Sequence, residues 1–240
     1  MPMTPEKQPN KIMIGVAVLA MIGISGYILF SGNKIKKKRK KVSQSTPIID
    51  AMKKLKYKIF SDGNWNIVGV RSLAKNNAFD DEIFLIRRVN GKWEQYIFPI
   101  TTDPGLTYLK NPMNTSGTAI LAPGQYKDSH AWGFHRKQYE ALVQVGPMSV
   151  YRDANRDDKL DIVESSRVTG TYGINIHKAG TNSQMVNNAS AGCQVFARSA
   201  DFNEAMSLLK QSGQKKFTYT LLTSDQVRPF LKDKNQKLIS

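Results

Sequence analysis

The sequence predicts a mainly β domain with a few helices, of β-sandwich or mixed-sheet character, after one N-terminal transmembrane helix. Three observations carry this prediction. Residues 12–31 run for twenty positions without a charged side chain. Beyond residue 60 the chain breaks into short segments rich in β-formers and punctuated by Gly and Pro. Only two stretches of the soluble part show helical spacing.

After a tail at 1–11, the apolar run 12–31 spans roughly 30 Å as a helix, the thickness of the bilayer's hydrocarbon core. It exceeds a secretory h-region and no A-x-A site follows, so the expectation is an uncleaved anchor in the lipid bilayer. Residues 32–50 read as a basic juxtamembrane linker, with seven Lys/Arg in KIKKKRKK. The positive-inside rule would keep that cluster, and the domain behind it, in the cytoplasm. The chemistry argued below calls for the cell-wall or periplasmic side, so the two expectations conflict.

The formal charge is +16, but residues 1–41 hold nine Lys/Arg and one Glu, a net of +8, and the other 199 residues carry only the remaining +8. A nucleic-acid enzyme concentrates its basic residues on the fold, so nucleic acid is not an expected partner. The basic cluster reads as a stop-transfer flank able to meet anionic headgroups. No Gly-rich nucleotide loop is present, and one cysteine excludes an internal disulfide.

Residues 51–240 read as one domain. PIIDAMKKLKYKIF (47–60) predicts a short helix and NWNIVGVRS a strand. DEIFLIRRVNGKWEQYIFPITT predicts a hairpin turning at Asn90-Gly91. GTAILAPGQY, HAWGFH, QYEALVQVG and MSVYRD predict further strands. SADFNEAMSLLKQSG predicts a helix capped by Ser or Asp and ended by Gly213, and KFTYTLL a closing strand.

The chemistry centres on GINIHKAGTNSQMVNNASAGCQVF (173–196), which holds the one cysteine. A thiol attacks acyl groups as a thiolate, so it needs a base nearby. YGINIH alternates as a strand and delivers His177 at its end. The small residues before Cys193 let the N–H groups of Ala191, Gly192 and Cys193 approach a substrate carbonyl oxygen, the kind of donor set that stabilises a tetrahedral intermediate. The polar loop between is long enough to return the sulfur beside the imidazole. The competing view is an inert buried thiol.

GINIHKAG followed by SAGCQVF, with TTDPG (101–105) upstream, resembles the L,D-transpeptidase (YkuD-like) catalytic domain over about residues 95–222. The resemblance implies that Cys193 is the nucleophile, His177 its base, and the backbone carbonyl near Lys178 the third partner. Ser190 and Gly192 match small residues of the oxyanion loop. Ala191 stands where the family often has His, and Gln194 where it often has Arg, a substrate-carboxylate partner. The implied substrates are peptidoglycan stem peptides. Cys193 would attack the meso-diaminopimelate carbonyl, expel D-alanine, and pass the thioester to an amine (transpeptidation) or to water (carboxypeptidase or lytic activity). The rival is a non-catalytic wall-binding or structural envelope or virion protein on the same fold.

No cofactor is expected for catalysis. Asp153, Asn155, Asp157, Asp161 and Glu164 fall at positions 1, 3, 5, 9 and 12 of an EF-hand-like loop, which suggests structural calcium. Against it, Asp158 takes the position that wants Gly, and a strand rather than a helix precedes the loop; a solvated acidic turn explains it as well. His130 and His135 read as hydrogen-bonding or cleft-lining residues rather than zinc ligands, Trp65, Trp93 and Trp132 as core or rim, and Tyr172 as a substrate-facing side chain.

Overall fold

The computed structural model describes residues 39–42 (backbone only), 46–60, 63–72 and 74–231. The expected span at 12–31 lies outside these. Among the described residues no helix is long and apolar enough to cross a membrane.

Strand β1 (Arg39–Val42) falls within the stretch expected to be linker, and pairs antiparallel with Trp93–Tyr96. Helix α1 (Pro47–Lys54) starts ahead of the boundary expected at residue 51. Thr46 caps it by accepting the Ile49 N–H at 3.3 Å, and Pro47 stands in its first turn. It stops short of the predicted residue 60 because Lys56 turns left-handed (φ 57°).

Next come β2 (Asn66–Arg71), β3 (Asp81–Val89) and β4 (Lys92–Thr101). The β3–β4 turn has Asn90 at φ 50° and Gly91 at φ 75°, the two positive values a type I′ turn requires. A short helix α2 (Leu106–Lys110) leads to β5 (Thr118–Leu121), β6 (Gly124–His135), β7 (Tyr139–Gln144) and β8 (Met148–Asp153). Then follow β9 (Val168–Gly170), β10 (Ile176–Lys178) and β11 (Gln194–Phe196). Helix α3 (Ser199–Gln211), β12 (Lys216–Thr223) and α4 (Ser224–Val227) complete the order.

The main sheet runs β1-β4-β11-β10-β7-β6-β12-β2-β3, and β3 also pairs with β4. Eight strands, β3, β4, β11, β10, β7, β6, β12 and β2, therefore close into a ring. It is mixed: β10–β11 and β12–β2 are parallel and the other ring ladders antiparallel. A separate three-stranded sheet has the order β5-β8-β9. The mainly β expectation thus holds, with a mixed sheet. KFTYTLL is the last of the described strands in sequence but an interior one in space, held between β6 and β2.

Burial explains why β2, expected to alternate, has its four central residues Ile67–Val70 all apolar or Gly. Ile67, Ile83, Leu85, Phe98, Phe217 and Leu221 share one core with Phe202, Ala205 and Leu209 of α3. Val68, Val70, Phe84 and Ile86 face the other way, under Ile48, Ile49 and Met52 of α1 and Val227 of α4. A strand covered on both sides loses its polar alternation. Helix α3 is not capped by Ser or Asp as expected. Arg198 takes the N-cap position and pairs with Asp201 at 2.6 Å, while Gly213 (φ 71°) ends it as predicted. Trp65 and Trp93 are core residues and Trp132 packs at its margin.

Candidate active site

β10 carries His177, and β11 starts one residue after Cys193. The two strands are parallel, with His177 opposite Val195 and Ile176 opposite Gln194. Side chains alternate along a strand and paired residues share a face. This register turns His177 and Val195 to one side, and extending the alternation one residue past β11, where the Gln194 N–H donates to Asn175 O at 2.9 Å, puts Cys193 on that side too. Only the end of YGINIH is strand. Gly173 takes φ 73°, and Gln144 Oε1 accepts the N–H groups of Tyr172 and Ile174, so that segment curls before entering the ladder.

The imidazole is fixed from two sides. His177 Nδ1 lies 3.0 Å from Lys178 O, so Nδ1 carries the proton and donates, leaving the Nε2 lone pair uncommitted. The Tyr139 hydroxyl donates to the same carbonyl at 3.2 Å. His135 stacks on the ring, centroids 3.9 Å apart and planes at 17°. Burial first, then the neighbouring His135 and Arg136, push His177 down to about 3. Cys193 is half-buried, and its Sγ donates to Gly173 O at 3.3 Å. Burial pushes the thiol up, offset in part by the Asn175 N–H and Arg136. Both shifts favour the neutral thiol and the neutral imidazole, and no hydrogen bond joins the two among the described residues. A base held this way takes a proton during attack rather than storing an ion pair beforehand.

Ser190 is buried and staples the nucleophile loop: Oγ donates to Cys193 O at 2.9 Å and accepts the Gly192 N–H at 3.1 Å. This corrects the expected donor set. The Gly192 N–H is used inside the loop, while those of Ala191 and Cys193 make no hydrogen bond among the described residues. Gly192 sits at φ 120°, and a Cβ there would lie 2.3 Å from Ala119 O, so the loop packs against β5 only with glycine.

Gln194 also departs from expectation. It is fully buried, its Oε1 accepts the Tyr219 hydroxyl at 2.6 Å, and its Nε2 donates to Gly192 O at 3.4 Å. It points away from Cys193, as strand alternation dictates, and supports the loop from beneath rather than touching substrate. Tyr172 is half-buried against the main core, with the Arg152 guanidinium 4.6 Å over its ring. Compared with protein-family models, curated proteins and solved structures, the chain matches none.

The sequence did not single out Asn77. It lies buried at φ 58° between the TTDPG turn and the nucleophile loop. Its Oδ1 accepts the N–H groups of Leu106 at 3.2 Å and Asn187 at 2.6 Å, and its Nδ2 donates to Asn187 Oδ1 at 3.0 Å. Its one sequence signal is that Asn tolerates left-handed backbone. Below the turn, Arg71 is buried against Thr102 and pairs with Asp103 at 2.8 Å.

The other histidine, His130, is buried, with Nδ1 2.9 Å from Ser129 Oγ and Nε2 2.9 Å from Ile174 O. Among the described residues no three His, Cys, Asp or Glu side chains are grouped to hold a metal ion. In the acidic loop, Asn155 Nδ2 donates to both Asp157 Oδ2 at 3.1 Å and Asp161 Oδ2 at 2.7 Å, while Glu164 turns to Tyr151 and Arg167.

Proposed function

We propose that the chain is a cysteine acyltransferase of the L,D-transpeptidase type, acting on peptidoglycan stem peptides. The observation supporting this most is the β10–β11 register, which turns Cys193 and His177 to one face while Lys178 O fixes the imidazole tautomer. In the proposed reaction Cys193 Sγ attacks the acyl carbonyl and His177 Nε2 takes the thiol proton. The N–H groups of Ala191 and Cys193 receive the developing oxyanion. The protonated imidazole then gives its proton to the departing D-alanine amine, leaving a thioester. An amine of a second stem, or water, resolves it. No cofactor enters these steps. The substrate places the domain on the cell-wall side of the bilayer, held by residues 12–31.

Incubation with a carbapenem or a tetrapeptide stem, followed by intact-mass measurement, tests this. A covalent adduct on Cys193 is expected, lost in Cys193→Ala and strongly slowed in His177→Ala. Wild-type acylation rate in His177→Ala would remove the proposed base. Protease accessibility of the domain in spheroplasts tests the topology.

A second reading, a non-catalytic wall-binding module, draws on the Cys193 Sγ bond to Gly173 O and the raised thiol. Sacculus pull-down with unchanged muropeptides would favour it.

A further inference from the structure

The loop from Asp153 to Glu164 takes no part in acyl transfer. We propose that it binds a calcium ion through Asp153, Asn155, Asp157, Asp161 and the main-chain carbonyl of Lys159. The Asp153 side chain, at the end of β8, is only 1% exposed. Its Oδ2 accepts the Asp161 N–H at 3.0 Å, which turns the carboxylate into the loop. Its Oδ1 is buried with no hydrogen-bond partner. An ionised oxygen buried without a donor is costly, and a cation removes that cost.

As the loop stands, Asp153 does not close a three-carboxylate group with Asp157 and Asp161, so binding would draw the exposed side of the loop toward Asp153. The Asp157 and Asp161 carboxylates meet on one donor, the Asn155 amide N–H₂. A cation between them would replace that amide group, and Asn155 would offer its oxygen instead. The side chains fall at loop positions 1, 3, 5 and 9, with the Lys159 carbonyl at 7. Leu160, at position 8, packs on Ile120 and Tyr151 and anchors the loop to β5 and β8. The sharp bend expected at Asp158 is made at Arg156 instead (φ 63°). Glu164 is held by Tyr151 at 3.2 Å and Arg167 at 3.0 Å, so it is left out of the ligand set. An all-oxygen set on a pliant loop suits calcium better than magnesium, which demands a tight octahedron. Without the bidentate twelfth ligand, affinity should fall at about 10⁻⁴–10⁻³ M, the range of extracellular modules.

The loop is also tied toward the candidate site: Asn76 Nδ2 donates to Asp158 O at 2.8 Å, next to the Asn77 clamp. A bound ion would stiffen that link.

The test uses the full chain in detergent, freed of metal with EDTA and titrated with CaCl₂ or MgCl₂ by calorimetry and thermal unfolding. One Ca²⁺ per chain is expected, with a midpoint that rises with Ca²⁺ and much less with Mg²⁺. Asp157→Asn, at an exposed position that folding tolerates, should weaken Ca²⁺ by about tenfold or more, and Glu164→Gln should not. No heat and no midpoint change in the wild type at about 10 mM CaCl₂, well above that affinity range, would overturn the proposal. So would undiminished binding in Asp157→Asn. None of these readouts depends on acyl transfer.

Discussion

The Gly105 N–H donates to Ser190 O at 2.9 Å, so the TTDPG turn is fastened directly to the loop that presents Cys193. A Cβ on Gly105 would lie 1.9 Å from Asn187 O, a main-chain atom that cannot swing aside. Gly105→Ala should therefore displace the nucleophile loop. The expected result is loss of Cys193 acylation together with a lower unfolding midpoint. Wild-type values of both would show that the two segments move independently.

Ser190→Ala removes the group that joins Gly192 N–H to Cys193 O. Two local bonds are lost in a buried place, at a cost of about 1–3 kcal/mol. Denaturant unfolding should report that loss. Acylation should slow further than stability explains, because the Ala191 and Cys193 donors lose their fixed direction.

The buried Arg71 holds Asp103 and binds Thr102 through its Nε and Nη2. Arg71→Ala takes away the cation that holds the buried Asp103 carboxyl down and leaves Thr102 and Leu121 O without their donor, and should destabilise by about 3–5 kcal/mol. A midpoint within a degree of wild type would contradict this.

His177 is lowered to about 3, against an unfolded value near 6.5. Between those values the unfolded chain binds the extra proton, so stability falls as pH drops through the window and is fully present above it. The slope is at most about 1.4 kcal/mol per pH unit for one histidine. His177→Gln lacks this titration but keeps the buried carboxylates and His130. The wild-type advantage over it should shrink from pH 7 toward pH 4, measured by urea midpoints. A constant difference would mean that His177 is not buried neutral.

The thiol, raised by burial, should react with iodoacetamide more slowly than a free thiol at pH 8, and its rate should still be climbing at pH 9. A rate plateau near neutral pH would instead reveal a thiolate paired with imidazolium.

Much of the frame was legible because periodicity and turn chemistry are local. Asn90-Gly91 fixed the β3–β4 hairpin, and Gly213 ended α3. The His177–Cys193 pairing came from the resemblance, and the β10–β11 register adds the strand geometry behind it. What escaped was set by contacts distant in sequence. The expected alternation of β2 gave no hint that α1 and α4 cover one of its faces. Asn77 clamps a residue 110 positions away, and no local pattern marks it. Gln194 was expected to face substrate because the resembled family often has Arg at that position. Alternation across the strand sends it to the opposite side, a distinction that needed the register. The Gly192 N–H looked free until Ser190 was seen to accept it.

The closed ring of strands bears on how the chain is made. β12 fills the place between β6 and β2, yet among the described strands it is the last to leave the ribosome. The β2–β3–β4 meander can assemble early, but β2 and β6 wait with open edges until residues 216–223 emerge. A nascent chain stalled before that point would expose two sticky borders, so quality control during synthesis should weigh on this protein more than its finished stability suggests.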